Sequence, residues 1–488
     1  MRVGRGRLGV VVAVGLAVAL LFGGCAGKTV PGTPRAAGEI DTRTVGGKPV
    51  TNGPSGPREG VPDAKLDFQN GDGGEMDRLA VNAVSDIYDY WSEQMPANFD
   101  GQKFEPLKRL ISYDSDGPGI KVCSQSTAGL VNAFYCGQDD SISWDRGRLM
   151  PLLDKQFGKM SVVTVLAHEM GHAVQFRLGE KSNVSQATPT IVKEQQADCY
   201  AGNFFRYVAD DKAKHFQLNT GQGLNKILAT MFFIRDPAGL SANTRGAHGL
   251  AFDRVFAFQE GYLKGPRRCA DMDVAEINKR IQEKERSDDE MKNSQEGQVD
   301  ITDPAIFDKF TQDLGRAFST NEGAEPPEIQ DNGAKCRSGG STSPAAYCPE
   351  ENVVAIDLAE LKKIATPPKR TGSSTGKDTG IGDFAAFAEI TSRYALAIQK
   401  GVGAPLEGEG AGLRTACLTG AWAGFADKPG PKLRLAVGDL DEAVAELLQD
   451  DSLIAADVKG TRIEAGFARV AAFRIGYFDG STKCSELR

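Results

Sequence analysis

Of four histidines in 488 residues, His168 and His172 stand four apart in the apolar run 165–175 (VLAHEMGHAVQ), with Glu169 between them. On a helix, residues i and i+4 lie one above the other, so both imidazoles would point the same way. Residues 161–176 (SVVTVLAHEMGHAVQF) are apolar around most of the circumference. That pattern predicts a buried helix, with Ser161 as a suitable N-cap. Each buried imidazole carries a donor and an acceptor that must be satisfied. A zinc ion would satisfy one nitrogen of each, and Glu169 could take a proton from water polarised by the metal. Gly171 leaves room for a close neighbour.

Residues 193–202 (KEQQADCYAG) place Glu194 and Asp198 at the same i, i+4 spacing. A Glu from a second helix would complete a His2Glu set of three protein ligands. Such a set leaves a coordination position open, as catalytic zinc sites do. Asp198, one turn later, could accept from the outer nitrogen of a ligating histidine and fix its tautomer. The plain alternative is a solvated helix face. Residues 140–145 (DSISWD) alternate in polarity, as a half-exposed strand does. The expectation is an edge strand that receives a substrate backbone, or else a structural hairpin beside Cys136. His248, in AHGLAFDRV, either donates to a developing oxyanion or is a structural loop residue. His215 lies among polar residues and is expected at the surface.

The motifs HEMGHAVQ, EQQADCYAG, and HG followed by R-x-x-x-F-x-x-G-Y and a cysteine resemble the bacterial putative neutral zinc metallopeptidases. The resemblance covers about Met76 to Cys269. It implies a zincin-like fold, one zinc ion held by His168, His172 and Glu194, and Glu169 as general base. Substrates do not transfer with it.

The elements that would position these groups occur twice. Residues 254–269 (RVFAFQEGYLKGPRRC) and 469–484 (RVAAFRIGYFDGSTKC) agree at eight of sixteen positions. NAFYC ending at Cys136 pairs with AAYC ending at Cys348, and CYAG at Cys199 with CLTG at Cys417. The stretch AHEMGHAVQFRLG aligns with TSRYALAIQKGVG. A repeat near 200 residues is a domain duplication rather than a solenoid. Arg254 recurs as Arg469, which favours a structural role for it. The second copy has Ser392, Arg393 and Leu396 in place of His168, Glu169 and His172. Gly412 and Ala416 face Glu194 and Asp198, and Ile463 faces His248. No histidine follows His248, so the second copy cannot build the site and reads as a pseudo-enzyme domain.

Of nine cysteines, one precedes the folded body and eight remain. Equivalent copies should use equivalent pairings, giving Cys123–Cys136 with Cys336–Cys348, and Cys199–Cys269 with Cys417–Cys484. A buried free thiol is the alternative for Cys199.

Arg2, Arg5 and Arg7 precede a charge-free apolar segment, 8–22, and then Gly23-Gly24-Cys25. The apolar segment is short for a membrane span and suits a signal sequence. The small residues before the cysteine resemble a bacterial lipobox, with Cys25 as the acylated residue. The expected location is the extracytoplasmic face of a membrane, held by a lipid anchor; plain secretion is the alternative.

The expected organisation is signal peptide 1–25, disordered Gly/Pro-rich tether 26–75, metallopeptidase-like domain 76–272, charged linker 273–300 and degenerate repeat 301–488. The fold class is α+β and mainly helical. A formal charge of −8 argues against nucleic acid as a partner. The expected partner is a peptide or protein substrate; oligomeric state is not legible. The competing reading is a non-catalytic envelope lipoprotein that binds or scaffolds.

Overall fold

The computed structural model describes residues 40–235, 248–280, 298–319, 325–367, 380–436 and 438–487. The signal segment, Cys25 and most of the charged linker therefore lie outside the described residues. Two short strands, β1 (Thr44–Val45) and β2 (Lys48–Pro49), form a hairpin, and β3 (Gly56–Pro57) follows. Helix α1 (Glu75–Asn98) carries Leu79, Ala83, Val84, Ile87, Tyr90 and Trp91 on one buried stripe. That three-four spacing makes an amphipathic face, and it packs on the helix carrying His168.

A three-stranded sheet comes next. It contains β4 (Arg109–Tyr113), β7 (Ala133–Cys136) and β8 (Ser141–Asp145); the small hairpin β5 (Lys121–Val122) and β6 (Gln125–Ser126) projects between β4 and β7 in sequence. The spatial order is β4-β8-β7, with β4 parallel and β7 antiparallel to β8. The expectation of an edge strand at 140–145 is corrected here. All five residues of β8 are buried, and the strand pairs on both sides. The pairing with β4 joins segments about thirty residues apart, which alternation of polarity does not report. The edge strands are β4, which Gln69 bridges at Ile111, and β7.

Helices α2 (Leu149–Phe157), α3 (Met160–Leu178), α4 (Thr190–Ala209), α5 (Gln222–Phe233), α6 (Ala251–Lys264), α7 (Pro266–Ala270) and α8 (Val274–Arg280) complete the first half, with β9 (Phe216–Gln217) pairing to β3. Helix α3 begins one residue before Ser161. The Ser161 hydroxyl donates to the Gly158 carbonyl at 2.6 Å instead of capping the helix. Gly158, at φ +85°, supplies the left-handed turn that separates α2 from α3.

Residues 40–74 depart from the expected tether. Strand β3 pairs with β9, Gln69 bridges to Ile111, and the Thr51 amide donates to Thr220. Backbone groups of a polar, Gly-rich segment are thus satisfied by the body, which outweighs the segment's lack of large apolar residues. His215 is also corrected. It is 3% exposed, its Nδ1 lies 2.6 Å from Asp86 of α1, and its backbone N–H donates to the same carboxylate. Its sequence neighbours are polar, but its partner is 129 residues away.

The second half contains α9 (Pro304–Ala317), β10 (Glu328–Asp331), β11 (Ala345–Cys348), β12 (Val353–Ile356), α10 (Leu358–Ala365), α11 (Asp383–Gly401), α12 (Glu409–Asp427), α13 (Asp439–Leu447), α14 (Gly466–Asp479) and α15 (Ser481–Cys484). Its sheet has the order β10-β12-β11, with the outer strands parallel and antiparallel to the middle one, as in the first half. Disulfides join Cys123–Cys136, Cys199–Cys269, Cys336–Cys348 and Cys417–Cys484. A Cβ at Gly261 would strike the carbonyl of Cys199, and one at Gly476 the carbonyl of Cys417. The shared G-Y motif is therefore a packing device that lets α6 lie against α4 and α14 against α12.

Residues 39–488 form one compact unit, and a single apolar core runs through both halves. Among the described residues, no helix is long and apolar enough to cross a membrane.

Candidate metal centre

Helices α3 and α4 approach closely because position 171 is glycine. A Cβ there would sit 2.7 Å from the Ala197 Cα. This contact brings the buried face of α3 onto the face of α4 that carries Glu194 and Asp198. His168 Nε2 lies 3.1 Å from Glu194 Oε2, and His172 Nε2 lies 3.4 Å from Glu194 Oε1. One donor atom from each of the three residues falls within 4.8 Å of the others, so the set can share a metal ion.

The surroundings prepare each nitrogen. Arg254 of α6 donates from Nε and Nη2 to the two Asp198 oxygens at 2.9 and 2.8 Å. Burial opposes the charge on Asp198, but Arg254 and His168 outweigh it and hold the carboxyl below its ordinary range. An ionised Asp198 only accepts, so His168 Nδ1, at 2.7 Å, must carry the proton. Its Nε2 lone pair then faces Glu194 and His172. For His172, Nδ1 lies 3.1 Å from Gln175 Oε1. Gln175 is itself oriented by donating to the Lys193 carbonyl and to Gln196 Oε1. With that amide oxygen as acceptor, His172 also donates from Nδ1 and directs Nε2 inward.

The donor set fits a cation. Glu194 is a buried carboxylate facing two imidazole nitrogens, a position that demands positive charge. Without an ion, protons supply that charge. Burial disfavours a charged His168, yet Asp198 and Glu194 overcome it and push the imidazole pKa up to about 10. His172 is raised as well, because Glu194 outweighs burial, and Glu194 falls well below its usual value despite burial.

Glu169 is buried beside these ligands. Its Oε2 accepts the backbone N–H of Tyr135, in edge strand β7, at 2.8 Å. Phe176, one turn beyond His172, is 61% exposed, with its ring centroid 6.3 Å from that of Tyr135. His248 stands next to the ligands, its ring centroid 6.2 Å from His168. Two site residues escaped the sequence reading. Gln175 carries no signal of its own within the buried helix expected over 161–176. Arg254 was read as structural from its recurrence as Arg469. It does have that role, donating to the Ile234 carbonyl at the end of α5 as Arg469 donates to Leu447 near the end of α13. In the first half it also carries Asp198.

Residues 50–271 match the model of the family described as putative neutral zinc metallopeptidase. Over this segment, somewhat less than half of the chain, the protein is similar to that family. The match begins just after β2 and ends just past Cys269, so β3 and the Cys199–Cys269 bridge fall inside the matched region, while β1 and β2 precede it. No curated protein and no solved structure matches the chain.

In the second half, the residues that the sequence comparison sets opposite Glu169 and Glu194 are Arg393 and Gly412, and both are closely packed. Arg393, fully buried, donates to the carbonyls of Asp457, Leu453 and Ala456 at 2.8, 2.7 and 2.9 Å. Burial lowers its pKa to about 10, with Glu389 and Asp457 opposing. A Cβ at Gly412 would meet the Ala455 carbonyl at 2.7 Å and Ile463 at 3.2 Å. The loop 453–463 therefore packs directly on α12 at Gly412.

Proposed function

We propose that the protein is a zinc-dependent peptidase whose first half hydrolyses peptide bonds on the outer face of a membrane. Cys25 is the proposed acylation site. The observation that carries the reading is the convergence of His168, His172 and Glu194, each backed by a hydrogen-bonded orienting partner or shared charge, with Glu169 alongside.

Zinc held by His168, His172 and Glu194 would supply Lewis acidity, bringing a water's pKa towards about 7. The chain's own groups do the rest. Glu169 accepts the proton of the attacking water at its carboxylate and delivers it to the leaving amine. The hydrogen bond from Tyr135 N–H holds the carboxylate beside β7. The free edge of β7 offers backbone groups to an extended peptide, so the scissile bond would run past Glu169. His248 is placed to donate to the carbonyl oxygen as charge develops there.

The second half is proposed to be a degenerate copy. Its like-ordered sheet, its equivalent disulfides and the equivalent Gly261 and Gly476 contacts support common descent. Arg393 and the loop 453–463 support a non-catalytic role. The test is the zinc content of purified protein, followed by hydrolysis of a mixed peptide library with and without chelator. One zinc per chain and chelator-sensitive cleavage are expected. One zinc with no cleavage of any peptide would favour the scaffold reading.

A further inference from the structure

The second half reaches the first at one place that bears on the active site. Asp441, on α13, is 1% exposed. Its Oδ1 accepts the backbone N–H of Phe252 at 3.0 Å, in the first turn of α6. Its Oδ2 forms an ion pair with Arg235 Nε at 2.9 Å. Arg235 directly follows α5, and Phe252 comes four residues after His248. One carboxylate from the second half therefore holds the chain on both sides of the segment that leads to His248.

Other contacts converge on the same turn. Phe252 packs its ring against Phe473 and Tyr477 of α14, with centroids 6.4 and 5.5 Å apart. The Arg474 guanidinium lies over Phe256 at 3.6 Å and over Phe252 at 4.9 Å. Gln259 donates to the Phe467 carbonyl at 3.0 Å. Asn225 of α5 donates to the Glu464 carbonyl and accepts the Gly466 amide, at 3.0 and 2.8 Å. The second half thus grips α5 and α6 while leaving α3 and α4, which carry the metal ligands, to pack within the first half.

We propose that the second half is a brace for the active site, with Asp441 as the positioning residue that fixes the start of α6 and, through it, His248 beside His168. A buried carboxylate suits this task. It joins a buried backbone amide and a half-buried guanidinium from separate segments, and leaving the amide or the carboxylate unmatched in the core is costly. The degenerate copy keeps its fold because α13 and α14 must present this surface. The inference rests on the peptidase reading for its consequence in turnover, but not for the brace itself.

The test uses the full-length zinc-loaded chain with Asp441→Ala, Asp441→Asn and Arg235→Gln. Amide hydrogen exchange is followed by mass spectrometry, together with zinc content and peptide hydrolysis. In Asp441→Ala, amides 248–256 should exchange about tenfold faster or more, while 161–176 and 409–427 keep their protection. Asp441→Asn and Arg235→Gln should give matching, smaller effects, because the Phe252 amide retains its acceptor. Zinc should stay at one per chain, and kcat should fall about tenfold with KM within twofold, as expected when a group is misplaced rather than removed. Unchanged exchange at 248–256 in all three variants overturns the brace. So does uniform loosening of every peptide, which would mark an ordinary structural interface. If the parent cleaves no peptide, the peptidase reading fails while the exchange data still decide the brace.

Discussion

Arg254 donates to both carboxylate oxygens of Asp198, at 2.9 and 2.8 Å, and Asp198 in turn receives His168 Nδ1 at 2.7 Å. The chain of three groups runs through α6, α4 and α3, so the metal-facing nitrogen of one ligand is set by a helix that contributes no ligand. Asp198→Asn keeps the shape but removes the charge that selects the tautomer, and leaves a buried guanidinium unmatched. Zinc affinity should weaken about 10- to 100-fold, measured by competition with a chromophoric chelator. Unchanged affinity would mean that Asp198 serves packing alone.

Glu169 makes no ligand contact in the proposed centre, so Glu169→Gln should separate binding from chemistry. Zinc stoichiometry should remain one per chain. Hydrolysis should drop by about 10²- to 10⁴-fold, the usual contribution of a positioned acid-base group. Loss of metal together with activity would instead make Glu169 part of the metal-binding set.

Zinc and protons compete for the same site. Without the metal His168 is held up to about 10, so at neutral pH its proton balances Glu194, and His172 is shifted in the same direction. Zinc needs the neutral imidazoles, so binding must release protons. Affinity should therefore tighten as pH rises from 6 to 8, by up to about tenfold per pH unit for each proton released. Calorimetry in buffers of different ionisation heat would count the protons. A pH-independent affinity over this range would contradict the charge balance described here.

The two disulfides of the first half close loops of very different size. Cys199–Cys269 spans 70 residues and Cys123–Cys136 spans 13. On the chain-entropy account, the longer bridge contributes about 1.5 kcal/mol more. Replacing Cys199 and Cys269 by serine should lower stability in denaturant by more than the same change at Cys123 and Cys136. The reverse order would point to native-state packing around the smaller loop as the dominant effect.

The second half should resist conversion into a metal site. Ser392→His, Leu396→His and Gly412→Glu together restore the ligand types, but a side chain at 412 collides with the Ala455 carbonyl. The triple variant should still bind one zinc per chain and lose stability, as overpacked cores do. A second equivalent of tightly bound zinc would show that loop 453–463 yields more readily than its packing implies.

The first-half site was largely legible in the sequence because its ligands come in local pairs. His168 with His172, and Glu194 with Asp198, each lie one helical turn apart, and helical periodicity alone puts each pair on one face. Gly171 likewise announced a close neighbour, which is Ala197. The orienting groups were less visible. Gln175 and Arg254 have ordinary roles by pattern, and only the crossing of three helices shows whose nitrogen or carboxylate they serve.

Residue type and spacing thus determined the metal-ligand candidates, the candidate proton acceptor beside them and the absence of histidine after position 248. Those features are short-range, and helix geometry carries them without knowledge of the partner. Tertiary structure decided the rest. It set which strand is the edge, that His215 is buried against Asp86, that residues 40–74 lie on the body, and that Asp441 clasps Arg235 and Phe252. Each of these depends on pairing between segments distant in the chain, where burial and hydrogen-bond satisfaction of both partners select the contact and neither segment alone records it.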